Sequence, residues 1–170
     1  MPGEAVGVWR CPDAYASLGP FFIDTLPPAN IISATTSPPA GTWDKTSTIY
    51  VYWTYGAQDA GSPAAARVGL NHSPSTMPAD WLLDTSTSCH FSGMAEAADW
   101  YVHLRAQDTA GNVATQTLHV GPIQFDRTDP LNPTRFTSSS HITDAWSSDN
   151  TITASWSGAT DGSGTSGVAG

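Results

Sequence analysis

The sequence predicts an all-β protein built as an antiparallel sandwich. Three observations predict it. Apolar residues recur at every second position, as in Ile49-x-Val51-x-Trp53 and Trp100-x-Val102-x-Leu104-x-Ala106, the spacing that lays one strand face on a core. Pro and Gly interrupt the chain too often for a helix to run. The phrase Gly19-Pro20-Phe21-Phe22-Ile23-Asp24 returns as Gly121-Pro122-Ile123-Gln124-Phe125-Asp126, 102 residues later. That period is too long for a solenoid repeat and suits one two-sheet unit.

The repeat also sets the domain phase. Asn30 matches Asn132 at the same offset, and Trp43, Ile49 and Trp53 match Trp146, Ile152 and Trp156 at 103. Residues 1–23 then read as the tail of a preceding unit, 24–125 as a complete unit, and 126–170 as the truncated start of the next. Ile152 and Trp156 of the last segment would lack partners, so residues 130–170 are expected to be weakly ordered alone.

Within the complete unit, Ile49, Val51 and Trp53 share a strand face opposite Tyr50, Tyr52 and Thr54. A loop rich in Gly, Ala and Pro follows over 56–65. Ala66, Val68 and Leu70 alternate next, and Pro74 and Pro78 bracket a turn. Residues 81–83 and 88–91 are short strand candidates, the latter carrying Phe91 to the core. Trp100, Val102, Leu104 and Ala106 face inward on the clearest strand, and Tyr101, His103, Arg105 and Gln107 face outward with polar tips. Asp108 to Asn112 is a turn in which Gly111 supplies positive φ. Residues 115–125 form the last strand. About seven short strands without a helix indicate a sandwich. Prolines at 27, 28 and 130 stiffen the junctions at 24–28 and 126–130.

These residues resemble the fibronectin type III-like and bacterial immunoglobulin-like repeats of large prokaryotic surface and secreted proteins. Trp53 stands where that family keeps its second-strand tryptophan. Arg105-Ala106-Gln107-Asp108-Thr109-Ala110-Gly111-Asn112 is similar to the run that closes its sixth strand, and Gly-Pro-x-x-(Ile/Phe)-Asp resembles its usual ending. The resemblance covers the chain from about Tyr15 and implies the fold, not a ligand. Two positions depart from it. Trp100 occupies the corner-tyrosine position, which implies a rebuilt corner, and Ala66 replaces the aromatic that usually opens the third strand. The loop that holds an Arg-Gly-Asp sequence in some members is here Thr109-Ala110-Gly111-Asn112, so integrin binding does not carry over.

Charge narrows the function classes. Fifteen carboxylates outnumber six scattered basic residues, for a net charge of −9. Phosphate neutralisation needs clustered Lys or Arg, so nucleic acid is excluded as a partner, and so is an anionic membrane surface. Ser and Thr make up roughly a quarter of the chain, above the globular norm, which fits an extracellular or cell-surface setting. No apolar run reaches the ~18 residues of a spanning helix, and the first residues lack a signal-peptide pattern, so a signal would lie upstream. Cys89 alternates with Phe91 and reads as a buried free thiol, and a Cys11–Cys89 disulfide would have to join different units.

Candidate chemistry is thin. None of the five histidines sits at metal-ligand spacing. His103 and His119 lie on strands expected to be neighbours and read as surface histidines that could come close. Asp24, Asp108, Asp126 and Asp129 gather near the junctions and are the weak calcium candidates. Calcium takes about six to eight oxygens, and without a D-x-D-x-D-G array they read as solvated turn carboxylates. The run from Gly162 to Gly167 fits neither a nucleophile elbow nor a phosphate loop and reads as a flexible loop. Asn71-His72-Ser73 is a formal glycosylation sequon that chance explains. Of seven tryptophans, Trp43/Trp146 and Trp53/Trp156 recur as framework residues do, leaving Trp81 and Trp9 for sugar stacking.

The expectation is a non-catalytic extracellular repeat with no cofactor, acting as spacer, stalk or adhesion module in a larger surface protein. Its partners would be neighbouring repeats and, beyond them, a surface protein or a polysaccharide. The alternative is an accessory, polysaccharide-binding module of a secreted hydrolase, which a flat row of exposed aromatics on one sheet would favour. An enzyme would need converging titratable groups, and none stand at recognisable spacing.

Overall fold

In the computed structural model, which describes residues 19–56, 63–77, 81–162 and 164–168, the period-two runs of the sequence form strands. They are β1 (Ile31–Ser37), β2 (Trp43–Asp44), β3 (Thr48–Tyr55), β4 (Pro63–Asn71), β5 (Leu82–Asp84), β6 (Ser88–Ser92), β7 (Ala97–Asp108), β8 (Leu118–Phe125), β9 (Arg135–Ser138) and β10 (Ala154–Ser157). One sheet has the order β1-β3-β6, a second the order β2-β8-β7-β4-β5, and β9 pairs with β10 separately. All pairings are antiparallel except β2–β8. The architecture is all-β and sandwich-like. Among the described residues no helix is long and apolar enough to cross a membrane.

Prolines explain the one parallel pairing. Pro38 and Pro39 have no N–H to continue the β1–β3 ladder, so the chain leaves that sheet at Ser37. Gly41, at φ 80°, turns it, and its N–H donates to the Pro122 carbonyl at 2.7 Å. Trp43 and Asp44 then pair with Gln124 and Phe125 as an edge of the second sheet. A two-residue strand leaves no period to read, so β2 was not foreseen. β4 begins at Pro63, ahead of the Ala66 alternation, because the long β7 extends the template to Asp108.

The two larger sheets share one core. Ile31, Ile49, Val51 and Trp53 meet Val68, Val102, Leu104, Ile123 and Phe125, with Ala66, Met94, Ala106 and Ala114 filling between. Full burial of each large aliphatic or Phe side chain contributes about 1.5–3 kcal/mol. The expected core residues Ile49, Val51, Trp53, Val102, Leu104 and Ala106 are all buried, while Leu70, Phe91 and Trp100 are half-buried against them. Gly111 has φ 94°, as its turn requires.

Trp100 rebuilds the corner. Its indole N–H donates to the Ala95 carbonyl, five residues upstream, at 3.0 Å. One face of the ring lies against His72, with ring centroids 3.8 Å apart. Trp100→Phe keeps an aromatic ring and loses the donor. It is expected to lower unfolding free energy by about 1 kcal/mol, read as a lower denaturant midpoint at unchanged slope.

The β9–β10 hairpin repeats the register of β1–β3. Ala34 faces Trp53 and Thr36 faces Val51. At the offsets of 102 and 103, Phe136 faces Trp156 and Ser138 faces Ala154. The two hairpins differ in what covers them. Trp53 is in the core, whereas Phe136, Trp146, Ile152 and Trp156 are exposed. Ile152 and Trp156 lack covering partners, as expected for this segment, and Trp146, which recurs as a framework residue does, is exposed with them because no second sheet lies over them among the described residues.

Candidate functional site

The segments around Asp24 and Asp126, expected to be the leading and trailing seams, carry the polar chemistry. Asp24 accepts from the Leu26 N–H at 3.0 Å, and its sequence counterpart Asp126 accepts from the Thr128 N–H at 3.0 Å, so both copies make the same turn. Asp108 is buried at the β7 terminus. Its two carboxylate oxygens accept from the Asn112 backbone N–H at 2.8 Å and side-chain amide at 2.9 Å. Burial pushes that carboxyl up, but the hydrogen bonds from Asn112, Gly111 and Ala110 outweigh it and hold it below the ordinary carboxylate range. The same Asn112 amide donates to the Asp24 carbonyl at 3.1 Å and so ties the turn to the leading seam. The sequence marks Asn112 only as the end of a turn; the signal for its tie to Asp108 is the Asp-x-x-x-Asn spacing across that turn.

At the trailing seam the Asp126 carboxylate accepts from both the backbone N–H and the hydroxyl of Ser166, at 2.8 and 2.7 Å. These bonds, with that from Thr128, hold its carboxyl below the usual range. Ser166, in the run that reads as a flexible loop, is thus bonded to Asp126 through both its N–H and its hydroxyl. Arg127 reaches the carbonyls of Thr46 and Met94 at 3.3 and 3.1 Å, and Glu96 accepts from the Arg127 N–H and the Thr128 hydroxyl. Asp129 is exposed. The four calcium candidates do not come together: among the described residues no three His, Cys, Asp or Glu side chains form a group that could hold a metal.

His103 overturns an expectation. The β-strand pattern assigns it to the solvent face, yet it is fully buried. Gly69 stands opposite it on β4 and offers no side chain, while His119 flanks it on β8. The Nδ1 atoms of His103 and His119 lie 2.6 Å apart, and His103 Nε2 lies 2.9 Å from Asn71 Oδ1. Asn71 in turn donates to the Thr76 carbonyl and accepts from the Ser73 N–H, which folds residues 71–76 back beside the pair. With both ends of its amide engaged, Asn71 makes a poor glycosylation acceptor. Burial first, and the facing His119 second, push the His103 imidazole down to about 4.

Cys89 is a free, half-buried thiol against the core, and burial pushes it up to about 11, which makes it a weak nucleophile. Cys11 and Trp9 lie outside the described residues. Trp81 is half-buried. A cleft of about 850 Å³ at the leading seam is lined by Phe21, Phe22, Ile23, Leu26, Thr109, Ala110 and one carboxylate, Asp24. No protein-family model matches this chain, and neither does any curated protein.

Proposed function

We propose that this chain is a stretch of non-catalytic, extracellular repeats of the fibronectin type III-like or immunoglobulin-like kind, acting as a spacer or stalk within a larger surface protein. Residues 24–125 are the complete unit, with 1–23 ending one neighbour and 126–170 beginning the next. The observation that carries this reading is the shared register of the two hairpins: Phe136 faces Trp156 as Ala34 faces Trp53. A sheet order of three strands against five, with β1 handing over to β2 at Pro38, also supports it. The seams fit a mechanical role, because Asn112, Glu96, Arg127 and Ser166 pin the junction backbone to folded parts on either side.

Single-molecule force spectroscopy on the chain, pulled by its ends, tests this. One cooperative event is expected, releasing about 100 residues or roughly 35 nm of extended chain. A gradual extension with no event, or one event spanning all the residues, would reject the repeat reading. A second reading, an accessory module of a secreted hydrolase, is favoured by one observation, the aromatic face of the three-stranded sheet.

A further inference from the structure

We propose that the outer face of the β1-β3-β6 sheet binds a neutral polysaccharide. Tyr50 and Tyr52 stand two residues apart on β3, so their side chains project on one face about 7 Å apart, and they are 47% and 51% exposed. Register places Ser37 and Thr35 beside them on β1, and His90 and Ser88 on β6. The Tyr50 and His90 rings lie 5.9 Å apart, which widens the platform. The outward positions of the three strands carry no Asp, Glu, Lys or Arg.

Two shallow depressions flank the tyrosine pair along the strand direction. One, of about 140 Å³, is lined by Ser33, Thr35, Tyr52 and Thr54 among others. The other, of about 230 Å³, is lined by Ser37, Thr48, Tyr50 and Asp44 among others. Thr46 hydrogen bonds hold the Asp44 carboxyl below its usual range, so it is an ionised acceptor at the end of the row. An extended sugar chain uses this set: C–H faces stack on rings, and hydroxyls bond to Ser, Thr and one carboxylate. Charge selects among polymers. A face without cations, closed by Asp44 on a chain of net charge −9, repels an anionic polymer and admits an uncharged one. Among the described residues the outer face of the other sheet offers no such platform. There Arg67 bonds Gln107, Arg105 bonds the Ala114 carbonyl, and His103 is buried.

The inference is independent of the spacer reading, since a spacer with a ligand and one without differ only in the following test. The full chain is run in native gels cast with hydroxyethylcellulose, glucomannan or soluble starch, and sedimented with microcrystalline cellulose or chitin. Polygalacturonate serves as the anionic counterpart. Retention by at least one neutral polymer is expected, insensitive to added salt. Replacing both tyrosines (Tyr50→Ala with Tyr52→Ala) should weaken it about tenfold or more, and Tyr50→Phe with Tyr52→Phe should preserve it. Trp146→Ala, which removes a fully exposed ring elsewhere, should change nothing. On the unaltered chain, the retaining polymer should protect Tyr50 and Tyr52 from nitration, a readout that does not depend on the variants folding. Retention by none of the neutral polymers, equal retention by polygalacturonate, absence of protection, or elution as a dimer with both tyrosines already protected would each overturn the proposal.

Discussion

Gly121→Ala is expected to destabilise the sandwich by about 2–4 kcal/mol, lowering its melting temperature by about 10 °C or more. The position lies in β8 where the register with β7 shifts, between the Trp100–Ile123 and Val102–Val120 pairs. A Cβ there would stand 2.7 Å from the Trp100 carbonyl oxygen and 2.5 Å from the Tyr101 ring. The ring can swing aside, but the carbonyl belongs to the central strand of the sheet and cannot move without disturbing its ladder. Pro122, the next residue, has no N–H to lose at this bulge, and its carbonyl already accepts from Gly41. A cycle with Tyr101→Ala separates the two contacts. Removing the ring should recover only part of the loss, because the carbonyl contact remains. Full recovery would place the whole clash on the ring, and an unchanged midpoint for Gly121→Ala alone would remove the steric account of this repeated glycine.

That glycine shows how far the sequence reaches. The repeat announced that Gly-Pro recurs, but the cause lies across the sheet, in Tyr101 and the Trp100 carbonyl. Where the controlling contacts are local, the reading succeeded. Period two placed Ile49, Val51, Trp53, Val102, Leu104 and Ala106 inward, since alternation alone decides which face a strand residue takes. The β9–β10 register matches that of β1–β3 once the one-residue change of offset between Asn132 and Trp146 is applied, a match that only the strand pairs reveal. Reading failed where distant chain supplies the surroundings. His103 obeys the alternation and points outward, yet Asn71, 32 residues earlier, and His119, 16 later, close around it. β2 depends on where Pro38 releases the chain, and Ser166 on where Asp126 stands. Asp24 and Asp126 were legible as turn residues; their hydrogen bonds were not.

Lowering the pH from 7 to 4 is expected to cost the fold about 3 kcal/mol through His103 alone. Its hydrogen bonds fix the protons. Asn71 Oδ1 accepts from the Ser73 N–H while its amide nitrogen donates to Thr76, so the atom that faces His103 Nε2 is the oxygen and Nε2 must carry hydrogen. The neutral ring then has only a lone pair at Nδ1, and it accepts from His119 Nδ1–H. A proton added to His103 Nδ1 would set two N–H groups head to head at 2.6 Å, inside a site with no water contact at His103. The imidazole therefore stays neutral in the fold down to about 4, from an ordinary value of 6.5. The unfolded chain takes up its proton near 6.5, so below that pH it binds more protons than the fold and stability falls, levelling off once the folded ring protonates near 4. The depressed carboxyls of Asp108 and Asp126 act in the same direction, but only below the ordinary carboxylate range. Denaturant titrations at half-unit steps between pH 7 and 4 measure the slope. His103→Gln retains a donor for Asn71 and cannot titrate, so its slope should be flatter by most of that amount, whatever its stability at pH 7. Equal slopes for the two proteins would show that His103 is protonated in the fold and that the buried pair is not held in the arrangement derived from its distances.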